Sequence, residues 1–125
     1  MKTRLIIFFL ILVVALDACS PSKPRSMLAN NREKWQAKNV QHYRFNLSVG
    51  CFCPFHEQMP LSIEVLKGKV VAIKANNGED VTPFLEIYSR SDTIDKMFAI
   101  IASAEGSADE IKIEYDPSYG FPTSA

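Results

Sequence analysis

The sequence is short of the groups from which most enzyme active sites are built. It holds two histidines, three cysteines and one tryptophan. There is no Gly-x-Ser-x-Gly nucleophile elbow, no phosphate-cradling glycine loop and no His-Glu-x-x-His pair. These gaps remove serine-hydrolase, P-loop and zincin chemistry from consideration, and no residue set calls for a cofactor. Charge is also lacking in surplus, with 14 Lys and Arg against 14 Asp and Glu. Without a basic excess or a basic cluster there is no electrostatic footprint for nucleic acid and no polybasic patch to reinforce membrane attachment. The apolar run from Leu5 to Leu16 is too short for a comfortable membrane span.

That run does have the form of an export signal. Lys2 and Arg4 supply a positive start, the apolar stretch follows, and it closes on Leu16-Asp17-Ala18-Cys19. The ending resembles a bacterial lipobox, in which a small residue precedes a cysteine that is lipidated and becomes the mature N-terminus; Asp17 departs from the pattern. Cys19 is therefore the expected lipidation site, with plain secretion or an uncleaved anchor as alternatives. Ser20 resembles the residue found after the cysteine in lipoproteins sent to an outer membrane, facing the periplasm in a two-membrane bacterium. Removing the first 18 of the 125 residues leaves 107, enough for one small domain. Losing Lys2, Arg4 and Asp17 changes 14 basic and 14 acidic residues to 12 and 13. The expected organisation is a signal over 1–18, a lipid anchor and polar tether over 19–26, and one domain over 27–125.

Within the domain, Met27 to Lys38 is rich in helix formers, with Leu28 and Trp35 on one face. Trp35 reads as an amphipathic core anchor rather than a ligand platform. From Gln41 the period becomes two: Tyr43, Phe45, Leu47 and Val49 alternate with polar residues, the pattern of a half-buried antiparallel strand. His42 falls on its solvated side, and continuing the register turns Gly50 outward and Cys51 and Cys53 toward the core. Leu61, Ile63 and Val65, then Lys67-Gly68, then Val71 and Ile73, read as a hairpin. Asn76 to Asp80 is a turn cluster and 82–90 a loop or broken helix. Ser91 or Asp92 caps a helix striped by Ile94, Met97, Phe98 and Ile101, ending at Gly106. Ile111, Ile113 and Tyr115 alternate as a strand, followed by a turn, Asp116 to Pro122, that could lead into another strand. The order predicts an α+β fold, an antiparallel sheet of about four strands packed against two helices.

Two motifs, Cys51-Phe52-Cys53-Pro54 and Tyr115-Asp116-Pro117-Ser118-Tyr119-Gly120-Phe121-Pro122, make the mature chain resemble a family of bacterial lipoproteins known as domain of unknown function 6174. Trp35, Tyr43, Gly68, Thr93-Ile94-Asp95 and Phe98 sit in the matching order. The resemblance implies a signal or lipid anchor and a small secreted α+β domain, and it brings no activity, substrate or cofactor. Members usually run on past the Pro-containing motif into a further strand, whereas this sequence ends at Ala125, so a sheet shorter by one strand or a truncated chain is expected.

The Cys-x-Cys stretch admits several chemistries. In an oxidising compartment two nearby thiols pair more readily than they stay free. Alternate positions along a strand lie ~6.6 Å apart, near the upper limit for a disulfide, so a Cys51–Cys53 bridge requires a buckled backbone, which Gly50 and Pro54 permit. The loop-entropy gain of so small a ring is only ~1.6 kcal/mol, which makes it a local shaper rather than a global staple. One alternative is a metal site from Cys51, Cys53 and His56, two soft ligands and an imidazole suited to zinc or copper(I), with no evident fourth ligand. Thiol exchange is another, without basic neighbours to lower a thiol pKa. Tyr115, Asp116 and Tyr119 form the second candidate surface. An acid among aromatic rings suggests carbohydrate chemistry, but Asp-Pro-Ser-Tyr-Gly is more often turn chemistry. The leading expectation is a lipid-tethered envelope domain that binds a protein or small ligand and is not an enzyme; the rival is a thiol or metal protein acting through Cys51 and Cys53.

Overall fold

The structure is a computed structural model and describes residues 26–107 and 110–125. The signal-like run, Cys19 and most of the tether lie outside those residues. Helix α1 spans Met27–Lys38. The Ser26 hydroxyl caps it, accepting the Ala29 N–H at 3.1 Å. Its far end closes at Asn39, left-handed at φ 48°, whose N–H bonds the Gln36 carbonyl. Leu28 and Trp35 are its two buried residues, as the helical stripe predicts.

Strands β1 (His42–Leu47), β2 (Leu61–Leu66) and β3 (Lys69–Lys74) form an antiparallel meander in the order β1-β2-β3. Leu61, Ile63 and Val65 are fully buried on the inner face of the central strand. Each side chain of that size stabilises the fold by roughly 1.5–3 kcal/mol through lost apolar surface. Lys67 and Gly68, both at positive φ (51° and 74°), make the two-residue turn from β2 to β3. Val71, which alternation with Ile73 would turn inward, does not lie in the core. A register shift pairs Val65 with Val70 but Glu64 with Ala72, so Val71 is the extra residue and stands 55% exposed, while Val70 and Ile73 turn inward.

The segment 82–90 folds into a 3₁₀ turn, Thr82–Phe84, and the one-turn helix α2, Leu85–Tyr88. Tyr88 is 2% exposed, and its hydroxyl donates to Gln58 Oε1 at 2.6 Å. Gln58 sits in a second 3₁₀ turn, His56–Gln58, and its amide donates to the Asp80 carbonyl at 3.2 Å. This pairing fixes two connecting segments over the open end of the core. Helix α3 spans Ile94–Glu105. Its cap is Thr93, whose hydroxyl accepts the Lys96 N–H, rather than Ser91 or Asp92; Asp92 is buried and holds Lys96 Nζ at 2.6 Å. Strand β4 is only Glu114–Tyr115, and it pairs with β5, Pro122–Ser124, as a separate two-stranded ribbon. The fold is thus α+β, with the expected strands divided between a three-stranded sheet and this ribbon. Among the described residues no helix is long and apolar enough to cross a membrane.

Two hydrophobic clusters fill the inner side. One joins Leu28 and Trp35 of α1 to Ile94, Phe98 and Ile101 of α3. The other joins Phe55 and Tyr88 to Leu61, Ile63 and Val65. Gly120, at φ +83°, lies against α1 so closely that an added Cβ would stand 2.5 Å from the Asn31 carbonyl oxygen. Gly120→Ala is therefore expected to lower stability by about 2 kcal/mol or more. Gly78→Ala, at φ +77° with no atom within 4 Å of the new Cβ, is expected to lose about 1 kcal/mol. Thermal unfolding of both variants checks this, and equal losses would contradict the close approach.

Burial pushes the phenols of Tyr43, Tyr88 and Tyr115 above their ordinary value of 10.0. Folding thus favours the neutral rings, so their contribution is whole below pH 10.0 and is lost as pH rises through the higher folded values. In alkaline unfolding titrations Tyr88→Phe should flatten the loss above pH 10.0; an unchanged alkaline limb would show that Tyr88 titrates as an exposed phenol.

Candidate functional site

After β1 the chain breaks at the Cys-x-Cys stretch. Cys51 and Cys53 are disulfide-bonded, with their Cα atoms 5.2 Å apart, well inside the ~6.6 Å of two alternate strand positions. The backbone has buckled as a bridge requires. Both cysteines are half-buried and pack against the cluster of Phe55 and Tyr88. Phe55 anchors the base of the loop, its ring 5.5 Å from Phe84 and edge-on to Tyr88 at 5.4 Å. Phe52, between the two cysteines, is fully exposed. The covalent ring therefore holds an unpaired aromatic side chain in solvent at the loop tip.

His56 follows at the start of the 3₁₀ turn, exposed, its backbone N–H donating to the Cys53 carbonyl at 3.0 Å. With the two sulfurs bonded to each other, His56 has no thiolate partners for a metal. Among the described residues no group of three or more His, Cys, Asp or Glu side chains is placed to hold one. His42 lies on the outer sheet face, where its Nε2 meets Glu64 Oε1 at 2.6 Å beside Arg44 Nη2 at 3.1 Å. These two partners, Arg44 first, hold the Glu64 carboxyl below the usual carboxylate range.

The second candidate surface separates into different roles. Tyr115 stacks on Phe98 at 6.3 Å, and its hydroxyl is buried without a hydrogen-bond partner among the described residues. Asp116 serves the turn: its Oδ1 accepts the backbone N–H groups of Ser118 at 2.9 Å and Tyr119 at 2.6 Å, and its carbonyl accepts the N–H of Gly120. Lys34 of α1 pins the turn by donating to the Pro117 carbonyl at 3.0 Å. Tyr119 is 45% exposed, with Lys38 Nζ 5.4 Å from its ring centroid. The turn, α1 and β1 border a cleft of about 250 Å³ whose walls include Trp35, Tyr43, Phe45, Tyr119 and Phe121. Trp35 stands edge-on to Tyr43 at 5.2 Å and to Phe121 at 6.1 Å. The sequence pattern assigned Trp35, Tyr43 and Phe45 to the core and left Tyr119 and Phe121 in the turn; that Tyr119 and Phe121 fold back to leave a groove against β1 depends on the turn's contact with α1, which no local pattern announces.

The fold and this surface define a small α+β domain with an aromatic cleft and a disulfide-braced loop tip. The chain belongs to the Family of unknown function (DUF6174), whose model matches residues 27–125. No curated protein and no solved structure gives a match.

Reduction supplies the check on the ring. The isolated protein should gain two hydrogen atoms in intact mass on reduction, with a stability loss of ~1.6 kcal/mol or less because the closed loop is so short. Free thiols in the unreduced protein, or stoichiometric metal retained when it is purified without chelator, would overturn the disulfide assignment.

Proposed function

We propose that the protein is an exported, lipid-anchored cell-envelope protein whose domain binds a partner rather than catalysing a reaction, with Phe52 as its leading contact. The observation that carries this reading is the full exposure of Phe52 on a ring whose sulfurs face the core. An aromatic side chain left in water forgoes roughly 1.5–3 kcal/mol of burial, and a bridged pair at its two neighbours keeps it from collapsing onto the domain. Rigid, isolated aromatic side chains are the usual energetic centres of protein contacts. Val49, also exposed, extends the apolar tip. The disulfide suits an oxidising compartment, in keeping with the export signal expected over residues 1–18 and with lipidation at Cys19. A tether over 19–26 would leave the domain free to reach an envelope partner near the membrane.

A photo-crosslinking amino acid placed at position 52 in cells should give a discrete protein adduct that is absent when the same group replaces the exposed Lys112. Phe52→Ala should release the same partner while leaving the melting temperature unchanged. Adducts to lipid alone, or none beyond the Lys112 control, would remove this reading. Palmitate labelling should be lost in Cys19→Ser, and labelling that persists would remove the anchor.

A further inference from the structure

Separate from the loop tip, the edge of β1 that faces away from β2 is bordered by the aromatic cleft. Strand β1 is an outer strand of its sheet. Lys67 donates its backbone N–H to the Gln41 carbonyl at 2.6 Å, which fixes the parity of the ladder: with Tyr43 opposite Val65 and Phe45 opposite Ile63, the odd-numbered residues bond to β2. The N–H and C=O groups of His42, Arg44 and Asn46 consequently point away from β2, in the plane of the sheet. Such a row of main-chain donors and acceptors is a template for another strand.

The aromatic cleft opens onto this same edge. Arg44 is part of its wall, yet the Arg44 guanidinium lies on the outer sheet face against Glu64. The cleft therefore meets β1 at the main chain of Arg44, between the inward rings of Tyr43 and Phe45. Its volume of about 250 Å³ is below the roughly 300–1,000 Å³ of sites for drug-sized molecules, and larger than the ~150 Å³ that accepts a single benzene ring. It suits one large apolar side chain. Lys38 of α1 lies over Tyr119 and Lys34 of α1 reaches the Pro117 carbonyl of the adjoining turn, so two cations stand on the cleft's α1 flank, while Asp95 acts on Tyr43 from the α3 side and the Asp116 carboxylate is engaged by backbone N–H groups.

We infer that β1 accepts an extended peptide segment of another protein as an added strand, with an aromatic or large aliphatic side chain seated in the cleft and acidic residues two positions to either side. A peptide residue next to the central one pairs its main chain with Arg44, so the central side chain falls on the inner face beside Tyr43 and Phe45, where the cleft reads it, and the α1 lysines favour the acidic neighbours.

The probe is the capped peptide Thr-Glu-Thr-Phe-Thr-Glu-Thr, titrated calorimetrically into the full chain in detergent, with amide exchange followed at Arg44. Binding should be saturable and should slow exchange at Arg44. Replacing the central Phe by Gly should weaken binding at least about tenfold, the worth of one buried ring, and replacing both Glu by Lys should weaken it further in a salt-dependent way. Methylating alternate peptide amides should abolish binding in one parity and spare it in the other, which a purely hydrophobic association would not do. Tyr119→Ala should weaken the Phe peptide more than the Gly peptide. Three results would overturn the inference: no binding, equal effects of the two methylation patterns, or Arg44 protection without peptide. In the last case, protection that rises with protein concentration would identify a second copy as the occupant, and protection independent of concentration would identify a segment of the same chain.

Discussion

Tyr43 and Phe45 touch both hydrophobic clusters, and the rest of the domain depends on that double contact. On one side they meet Trp35 of α1 and the N-terminus of α3, where the Tyr43 hydroxyl accepts the Ile94 N–H at 3.3 Å. On the other they continue the layer of Leu61, Ile63 and Val65. A domain of this size buries too little surface for two independent cores. Making the inner face of one strand common to both lets each cluster stabilise the other, and a change at Tyr43 or Phe45 propagates to the helices and to the loop tip alike.

The same arrangement divides the surface. Because β1 presents its rings inward, its polar residues face solvent as the His42–Glu64–Arg44 group, leaving only the strand's main chain to meet anything at its edge. Exposed ion pairs of that kind contribute little to stability. Their effect is positional: they hold the Arg44 guanidinium away from the aromatic cleft.

Much of this was legible from residue order. Period two in Tyr43, Phe45 and Leu47 placed β1 and its inner face, and the Leu28 and Trp35 stripe placed α1. The same register was expected to run on through Val49 to Cys51 and Cys53, but β1 ends at Leu47 and Val49 is exposed, so the cysteines face the core from a buckled, bridged loop and not from a strand. What was not legible was set at long range. Val71 looks like a core residue because period two assumes an unbroken ladder, and the bulge opposite Val65 breaks it. Tyr88 gave no periodic signal in a one-turn helix; its burial depends on Gln58, thirty residues away. Asp92 is an ordinary capping residue by type, but burial beside Lys96 passes the cap to Thr93. Tyr115 and Tyr119 share a motif and resemble each other in sequence, yet one is stacked in the core and the other lies at the rim of the cleft, because the Asp116 turn reverses the chain between them.

The contact of Lys34 with Pro117 joins residues 83 apart, and the approach of Gly120 to Asn31 reinforces it. Closing a loop of that size has an entropic cost that local contacts cannot offset early, and long-range pairings of this kind slow a fold's assembly. The first helix and the last turn are consequently one cooperative unit despite lying at opposite ends of the domain. Fraying of either exposes Trp35 and Phe121 together, so the order of the turn at Asp116 depends on the integrity of a helix more than eighty residues earlier.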